Sequence, residues 1–153
     1  SLQAYVDALV QAGDWFLIKQ SPSRAMPYYE QAAKIIDDAA KSPTDAAKLQ
    51  PLLSFPVQVY YPIPPLAGRN LNRLPGETVD RYVQVEFTVH EDGRVSDERV
   101  VEQDANERHI SQTLTAIGGA RYRPKFVDGK PVKTAAVSFR QIFKQQRSSA
   151  QAE

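Results

Sequence analysis

Two histidines, no cysteine and a few adjacent carboxylates are the groups from which this 153-residue chain could build a reactive site. Metal binding and general acid–base work need such groups to converge. His90 falls on the outward side of a strand pattern, and His109 stands just ahead of the apolar stripe of a helix. Neither has a partner at ligand-like spacing, so both are expected to be plain surface residues. Asp37-Asp38 and Glu91-Asp92 read as solvated helix-end and turn residues rather than acid–base pairs. Without cysteine there is no disulfide, no thiolate nucleophile and no cysteine-ligated zinc or iron–sulfur site. The glycines are scattered, so no phosphate-cradling loop is written in the chain, and no serine elbow is present. The expectation is a non-enzymatic protein with no catalytic residues, no metal and no cofactor.

What remains is chemistry of recognition. Arg121, Arg123 and Lys125 alternate with Tyr122, Pro124 and Phe126. If extended, the block sets three cations on one side, which suits an anion or nucleic acid. The simpler reading, and the one preferred, is a polar face above a buried Tyr122–Phe126 edge. The net charge of +1 gives no general reason to expect nucleic acid or a membrane surface. Tyr60-Tyr61-Pro62 puts two aromatic rings beside a stiff proline, as a cover for a sheet edge or as a contact for a partner.

The elements that must position these residues follow from periodicity. Residues 2–41 read as two helices. Leu2, Tyr5, Val6, Leu9, Val10 and Phe16 make one apolar face; Ala25, Tyr28, Tyr29, Ala32, Ala33 and Ile36 make the other. Ser21 is the candidate N-cap between them, with Pro22 in the first turn. Residues 44–53 suit a short third helix that covers an exposed face. Pro56, Pro62, Pro64, Pro65 and Pro75 then forbid regular helix, leaving room for a short edge strand at Val57-Gln58-Val59-Tyr60 and a polar loop over residues 68–76.

From Tyr82 the period becomes two. Val83, Val85, Phe87 and Val89 point one way, and Gln84, Glu86, Thr88 and His90 the other, as in a half-buried antiparallel strand. Glu91-Asp92-Gly93 turns the chain into a return strand over residues 94–102. Asp104 or Asn106 starts a helix with Ile110, Leu114 and Ile117 as its buried stripe, ended by Gly118-Gly119. Residues 134–143 form the last strand, with Val137, Phe139 and Phe143 on one face, and residues 144–153 read as a polar, fraying end. The fold class expected is α+β: a helical hairpin, then a three-stranded antiparallel sheet packed on one helix in the order β-β-α-β. The upstream helices are a candidate cover for the sheet's other face. The units expected are 1–54 for the helices, 55–81 for a proline-rich connection, 82–147 for the sheet domain and 148–153 for a tail.

Several blocks in this order resemble one family. Tyr61-Pro62, the strand Val83-Gln84-Val85-Glu86-Phe87-Thr88-Val89, the turn Asp92-Gly93-Arg94-Val95, the block Ala120-Arg121-Tyr122-Arg123-Pro124, the segment Asp128-Gly129-Lys130-Pro131-Val132 and the closing Val137-Ser138-Phe139 are similar to the TonB C-terminal domain. That family comprises the periplasmic ends of energy transducers acting on outer-membrane transporters. The chain departs from it at Arg81-Tyr82, where a glycine commonly precedes the first strand, and in a longer loop over residues 67–78. The two N-terminal helices resemble a tetratricopeptide repeat, a helical hairpin of about 34 residues. Leu9, Ala12, Gly13 and Phe16 match on the first helix, and Ala25, Tyr29 and Ala32 on the second. Asp37 stands where that repeat has its closing proline.

The TonB resemblance implies a periplasmic transducer domain that binds the extended N-terminal peptide of outer-membrane transporters by strand addition. The partner-binding residues it implies are Tyr60, Tyr61 and Pro62 together with Val137, Ser138, Phe139, Arg140 and Gln141 of the last strand. A start at Ser1, already in a helical pattern by Leu2, is read as a piece of a longer protein. Its upstream segment would anchor it in the inner membrane and couple it to a motor complex there. Two copies could exchange strands to form a homodimer. The alternative is a cell-envelope scaffold: the helices recruit a protein partner, and the TonB-like domain docks passively.

Overall fold

The computed structural model describes residues 1–68 and 76–146. The polar loop expected at Arg69, Asn70, Asn72 and Arg73, and the tail beyond residue 146, lie outside the described residues. Three helices open the chain: α1 (Leu2–Ile18), α2 (Pro22–Ala39) and α3 (Pro43–Leu49), the last running into a single 3-10 turn at Gln50–Leu52. Ser21 takes the N-cap position of α2 without making the side-chain cap bond, and Pro22 fills the first helical position. Two small residues decide how closely α1 and α2 pack. Ala32 is fully buried, and Gly13 lies so close to the Tyr29 ring that a Cβ there would stand 2.4 Å from it. Val6, Leu9, Val10, Leu17, Tyr29 and Ile36 fill the seam, and Leu49 and Leu53 close it from α3 and the segment after it.

The central sheet has three antiparallel strands. Its middle strand is β2 (Thr78–Val89), flanked by β3 (Val95–Gln103) and β7 (Thr134–Gln146). The predicted alternation holds: Val83, Val85, Phe87 and Val89 are buried on one face. Helix α4 (Glu107–Gly118) packs against that face. Asn106 caps it, accepting from the His109 N–H at 2.9 Å. The helix is turned from the expected stripe. His109, Thr113, Ala116 and Ile117 are its buried residues, while Ile110 and Leu114 pack at the flank. The end of the sheet is longer than the sequence suggests. β2 begins at Thr78, and its first residues pair with Gln145 and Gln146, so β7 continues where a frayed end was expected.

Two small ladders complete the fold. β1 (Val57–Tyr60) pairs with β4 (Arg121–Arg123), and β5 (Lys125–Val127) folds back on β6 (Lys130–Val132) through the turn at Asp128-Gly129. The helical layer docks on these ladders and not on the open face of the sheet, which corrects the expectation of a covered face. α1 meets β1 and β4, and α2 meets β6. Phe126 of β5 is buried inside the helical core, with its ring 6.1 Å from that of Tyr29. Gly93 ties the other end of the sheet to the same seam. Its φ of +85° suits glycine, a Cβ would meet the Tyr122 carbonyl oxygen at 2.5 Å, and its own carbonyl accepts from the Tyr122 N–H at 2.9 Å.

Candidate functional site: the open edge of the last strand

β7 is an edge strand. It pairs with β2 in unbroken register from Thr78↔Gln146 to Phe87↔Val137, and no other described strand pairs with its second side. A register shift follows between Phe87 and Val89, where Ala136 takes a φ of +56°. This bulge ends the regular stretch at Val137. The opposite edge, β3, is a poorer template. Its pairing with β2 shifts register twice, Asp97 sits in the left-handed region at φ +58°, and α4 packs beside it.

The sequence-predicted residues fall into two groups around β7. Val137, Phe139 and Gln141 share the inner face with the fully buried Phe143. Tyr61 lies on this group: its ring centroid is 4.8 Å from that of Phe139, and its hydroxyl donates to Gln141 Oε1 at 2.6 Å. Burial pushes the Tyr61 phenol well above its ordinary pKa, so this donor keeps its proton throughout the neutral range. Pro62 packs on Gly119 at the end of α4, and Leu66 N–H donates to Gln112 Oε1 at 3.0 Å. Residues 61–66 therefore form a strap from the β7 inner face across α4, with Pro64 fully buried and Ile63 exposed. Tyr60 is not part of that contact. It ends β1, opposite Arg121, and is 37% exposed.

Ser138 and Arg140 point to the open face. Arg140 Nε donates to Gln84 Oε1 at 2.7 Å, and its guanidinium lies 4.3 Å from the Tyr82 ring centroid. The Tyr82 hydroxyl donates to Glu102 Oε1 at 2.8 Å, and the amide of Gln84 bonds the Ser138 hydroxyl. Lys144 pairs with Asp80 at 3.2 Å, and Ile142, between Arg140 and Lys144 along β7, is 42% exposed. Tyr82, Ile142 and Lys144 belong to this surface but were not singled out in the sequence. The period-two pattern carried far enough along β7 would have found the last two.

Two sequence expectations are corrected here. His109 is buried, not a surface residue: it is 6% exposed, its ring stacks on Phe143 with centroids 4.4 Å apart, and its Nδ1 has no hydrogen-bond partner. Burial, with Arg108 and Arg81 nearby, holds its pKa below the usual value. Arg123 does not lie on the polar face expected above the Tyr122–Phe126 edge. It reaches across to α1, donating from Nε to Asp14 Oδ1 at 3.0 Å and from Nη2 to Asp14 Oδ2 at 2.7 Å; Nη1 donates to the Leu52 carbonyl at 2.9 Å. Tyr29 adds a donated bond to Asp14 Oδ1 at 2.6 Å. Burial alone would lower the Arg123 pKa, but the Asp14 carboxylate outweighs it and the net shift is upward. Tyr122 and Phe126 are buried as expected. Among the described residues no group of three or more His, Asp or Glu side chains is placed to hold a metal, and no helix is long and apolar enough to cross a membrane.

Compared with known proteins, residues 80–144 match the family model of the Gram-negative bacterial TonB protein C-terminal. The match runs from Asp80 in β2 through α4 to Lys144 in β7, so it takes in most of the three-stranded sheet and its helix; α1, α2, α3 and β1 lie outside it. Among solved structures, the chain is similar to the solution NMR structure of the Pseudomonas aeruginosa TonB CTD. Identity is 22%, the alignment covers 60% of this chain and 85% of that one, and the TM-score is 0.38. No curated protein matches.

Proposed function

We propose that this protein is a non-enzymatic, periplasmic domain of TonB type that binds the extended N-terminal peptide of outer-membrane transporters as an added strand along β7. The observation that carries the reading is the long unbroken register of β7, open on one side, within a segment that matches the TonB C-terminal family. An unpaired strand edge offers backbone N–H and C=O groups at strand spacing, and a peptide that takes them up gains affinity from main-chain bonds. Such binding accepts varied peptide sequences, which suits a transducer shared among transporters. It also bears load, because several bonds along the strand resist a pull together. Tyr61, Phe139 and Gln141 would select side chains on the inner face, and Ser138 and Arg140 on the outer one. In the whole protein an inner-membrane anchor would couple this domain to the motor complex.

The test is an NMR titration of the isotope-labelled chain with periplasm-facing N-terminal peptides of transporters from the same organism. Saturable shifts confined to Val137–Gln141 and Tyr61–Pro62 are expected. A peptide carrying proline at its central position should bind far more weakly, since it lacks a ladder donor. Absence of shifts at millimolar peptide, with the spectrum that of a folded chain, would overturn the reading.

The second reading is a cell-envelope scaffold or adaptor whose helices recruit a protein partner. It is favoured by one observation: α1 exposes Tyr5 and Trp15, 50% and 53% accessible. In the same titration, shifts on α1 with a candidate partner and none on β7 with the peptides would select it. Strand exchange into a homodimer would appear as a doubled hydrodynamic mass.

A further inference from the structure

We propose that Asp14 and Arg123 are positioning residues for the β7 edge: through them the helical layer holds the Tyr61 strap against the strand that takes the peptide. The binding consequence rests on the strand-addition reading above; the structural consequence does not. β1 runs directly into Tyr61, so whatever fixes β1 fixes the root of the strap. β1 is held by β4, a strand of three residues, through a ladder that is irregular between Gln58 and Tyr60. A pair this short is marginal on its own.

Arg123 is the strongest tether within that ladder. It stands opposite Val57, at the start of β1, and its guanidinium makes three hydrogen bonds, two to Asp14 of α1 and one to the Leu52 carbonyl. The paired side chains are only 12% and 19% exposed, so this is a charge-assisted, two-pronged contact largely shielded from water. Tyr29 donates to the same Asp14 Oδ1 that accepts from Arg123 Nε, and it can lie there because Gly13 leaves room for its ring. One residue along β4, Tyr122 accepts a bond from Gln58 Nε2 at 2.9 Å and packs on Phe87 of the sheet. From the α1–α2 seam to the β7 edge the contacts are thus continuous: Tyr29, Asp14, Arg123, β1, Tyr61, and then Phe139 and Gln141.

A peptide that adds to a strand whose neighbours are already ordered avoids the cost of ordering them. With the tether cut, β1 and the strap gain freedom. Tyr61 would leave Phe139 and Gln141 for part of the time, and binding would have to restore the contact. The helical layer is thereby a determinant of affinity at a strand of the sheet unit.

The experiment compares the whole chain with Asp14→Asn, Asp14→Glu and Tyr29→Phe. Amide hydrogen exchange and the Gln141 side-chain amide signal are read without peptide, and transporter-peptide affinity is read by NMR. In Asp14→Asn, faster exchange over Val137–Gln141, a shifted Gln141 amide and at least about a fivefold loss of affinity are expected. Asp14→Glu keeps a carboxylate and should recover part of each effect. Tyr29→Phe removes a single hydroxyl and should show the same changes, smaller; it serves where Asp14→Asn does not fold. Unchanged exchange and an unchanged Gln141 signal in the folded variants would overturn the coupling, as would wild-type affinity in Asp14→Asn. If the wild-type chain binds no peptide, the strand-addition reading fails. The exchange data then still decide whether the tether positions Tyr61.

Discussion

At the scale of single residues, the chain gathers its least replaceable contacts where the helical layer meets the sheet unit. Gly13 is small because Tyr29 needs its place. Gly13→Ala should push the ring off Asp14 and lower stability by about 1–3 kcal/mol, read by urea denaturation. Arg123→Lys keeps the charge but loses the planar fork that meets both Asp14 oxygens and the Leu52 carbonyl at once. A loss of about 1.5–3 kcal/mol is expected in the same assay. His109 sets a pH dependence of definite sign. Its folded-state pKa is held below the usual value of about 6.5 by burial and two arginines, so the unfolded chain binds its proton more readily. Its contribution to stability is complete above about pH 6.5 and falls as the pH drops below that. The expected outcome is lower stability at pH 5.5 than at pH 7.5, a difference that shrinks in His109→Leu. Equal pH slopes in the two proteins would mean that the proton goes elsewhere.

At the scale of elements, the two sheet edges differ in kind. β3 is irregular, charged and flanked by α4, features that discourage pairing. β7 presents ten consecutive pairs to β2, from Thr78 to Phe87, with its second side open among the described strands. Phe139→Pro removes a backbone donor from the middle of that run and should abolish peptide binding at some cost in stability, followed by titration and circular dichroism. Binding that survives in the folded variant would move the site off this strand. The left-handed Ala136 explains why the pairing surface begins at Val137 and no earlier, because the bulge leaves a residue without a ladder partner.

At the scale of the whole molecule, helical layer and sheet unit share side chains instead of meeting across a lubricated joint. Phe126 belongs to the sheet unit by sequence and to the helical core by burial, and Leu17 of α1 touches the Gly93 turn. The two parts should therefore unfold together. Trp15 is the single tryptophan and reports on the helices, whereas far-ultraviolet circular dichroism reports on both parts. Coincident transitions are expected by the two probes. A separate, earlier transition in tryptophan fluorescence would show that the helices melt independently of the sheet.

Local pattern determined the elements with the strongest periods. The run from Val83 to Val89 alternates because a strand has period two, and the α1 and α2 stripes recur at three and four because a helix has period 3.6. The Asp92-Gly93 turn is chemistry within a few residues and so is legible, as is a helix start at Asp104 or Asn106, of which the structure takes Asn106; the order of these blocks carries the family resemblance. What stayed hidden depends on partners distant in sequence. Arg123 reads as one of three alternating cations until the fold brings Asp14 beside it, 109 residues away. His109 reads as a helix-start polar residue until Phe143 is laid under its ring. Tyr61 reads as an aromatic in a proline-rich linker until β7 passes beneath it. The buried face of α4 turned by about one residue because the sheet and the strap, not the helix's own periodicity, choose which side chains are covered. Sequence settled the helices and strands with a strong period, since that choice is made by near neighbours; only the tertiary structure decided the short ladders β4 to β6, the full length of β2 and β7 and what all these segments hold, since burial and pairing are settled by residues that meet only when the chain has folded.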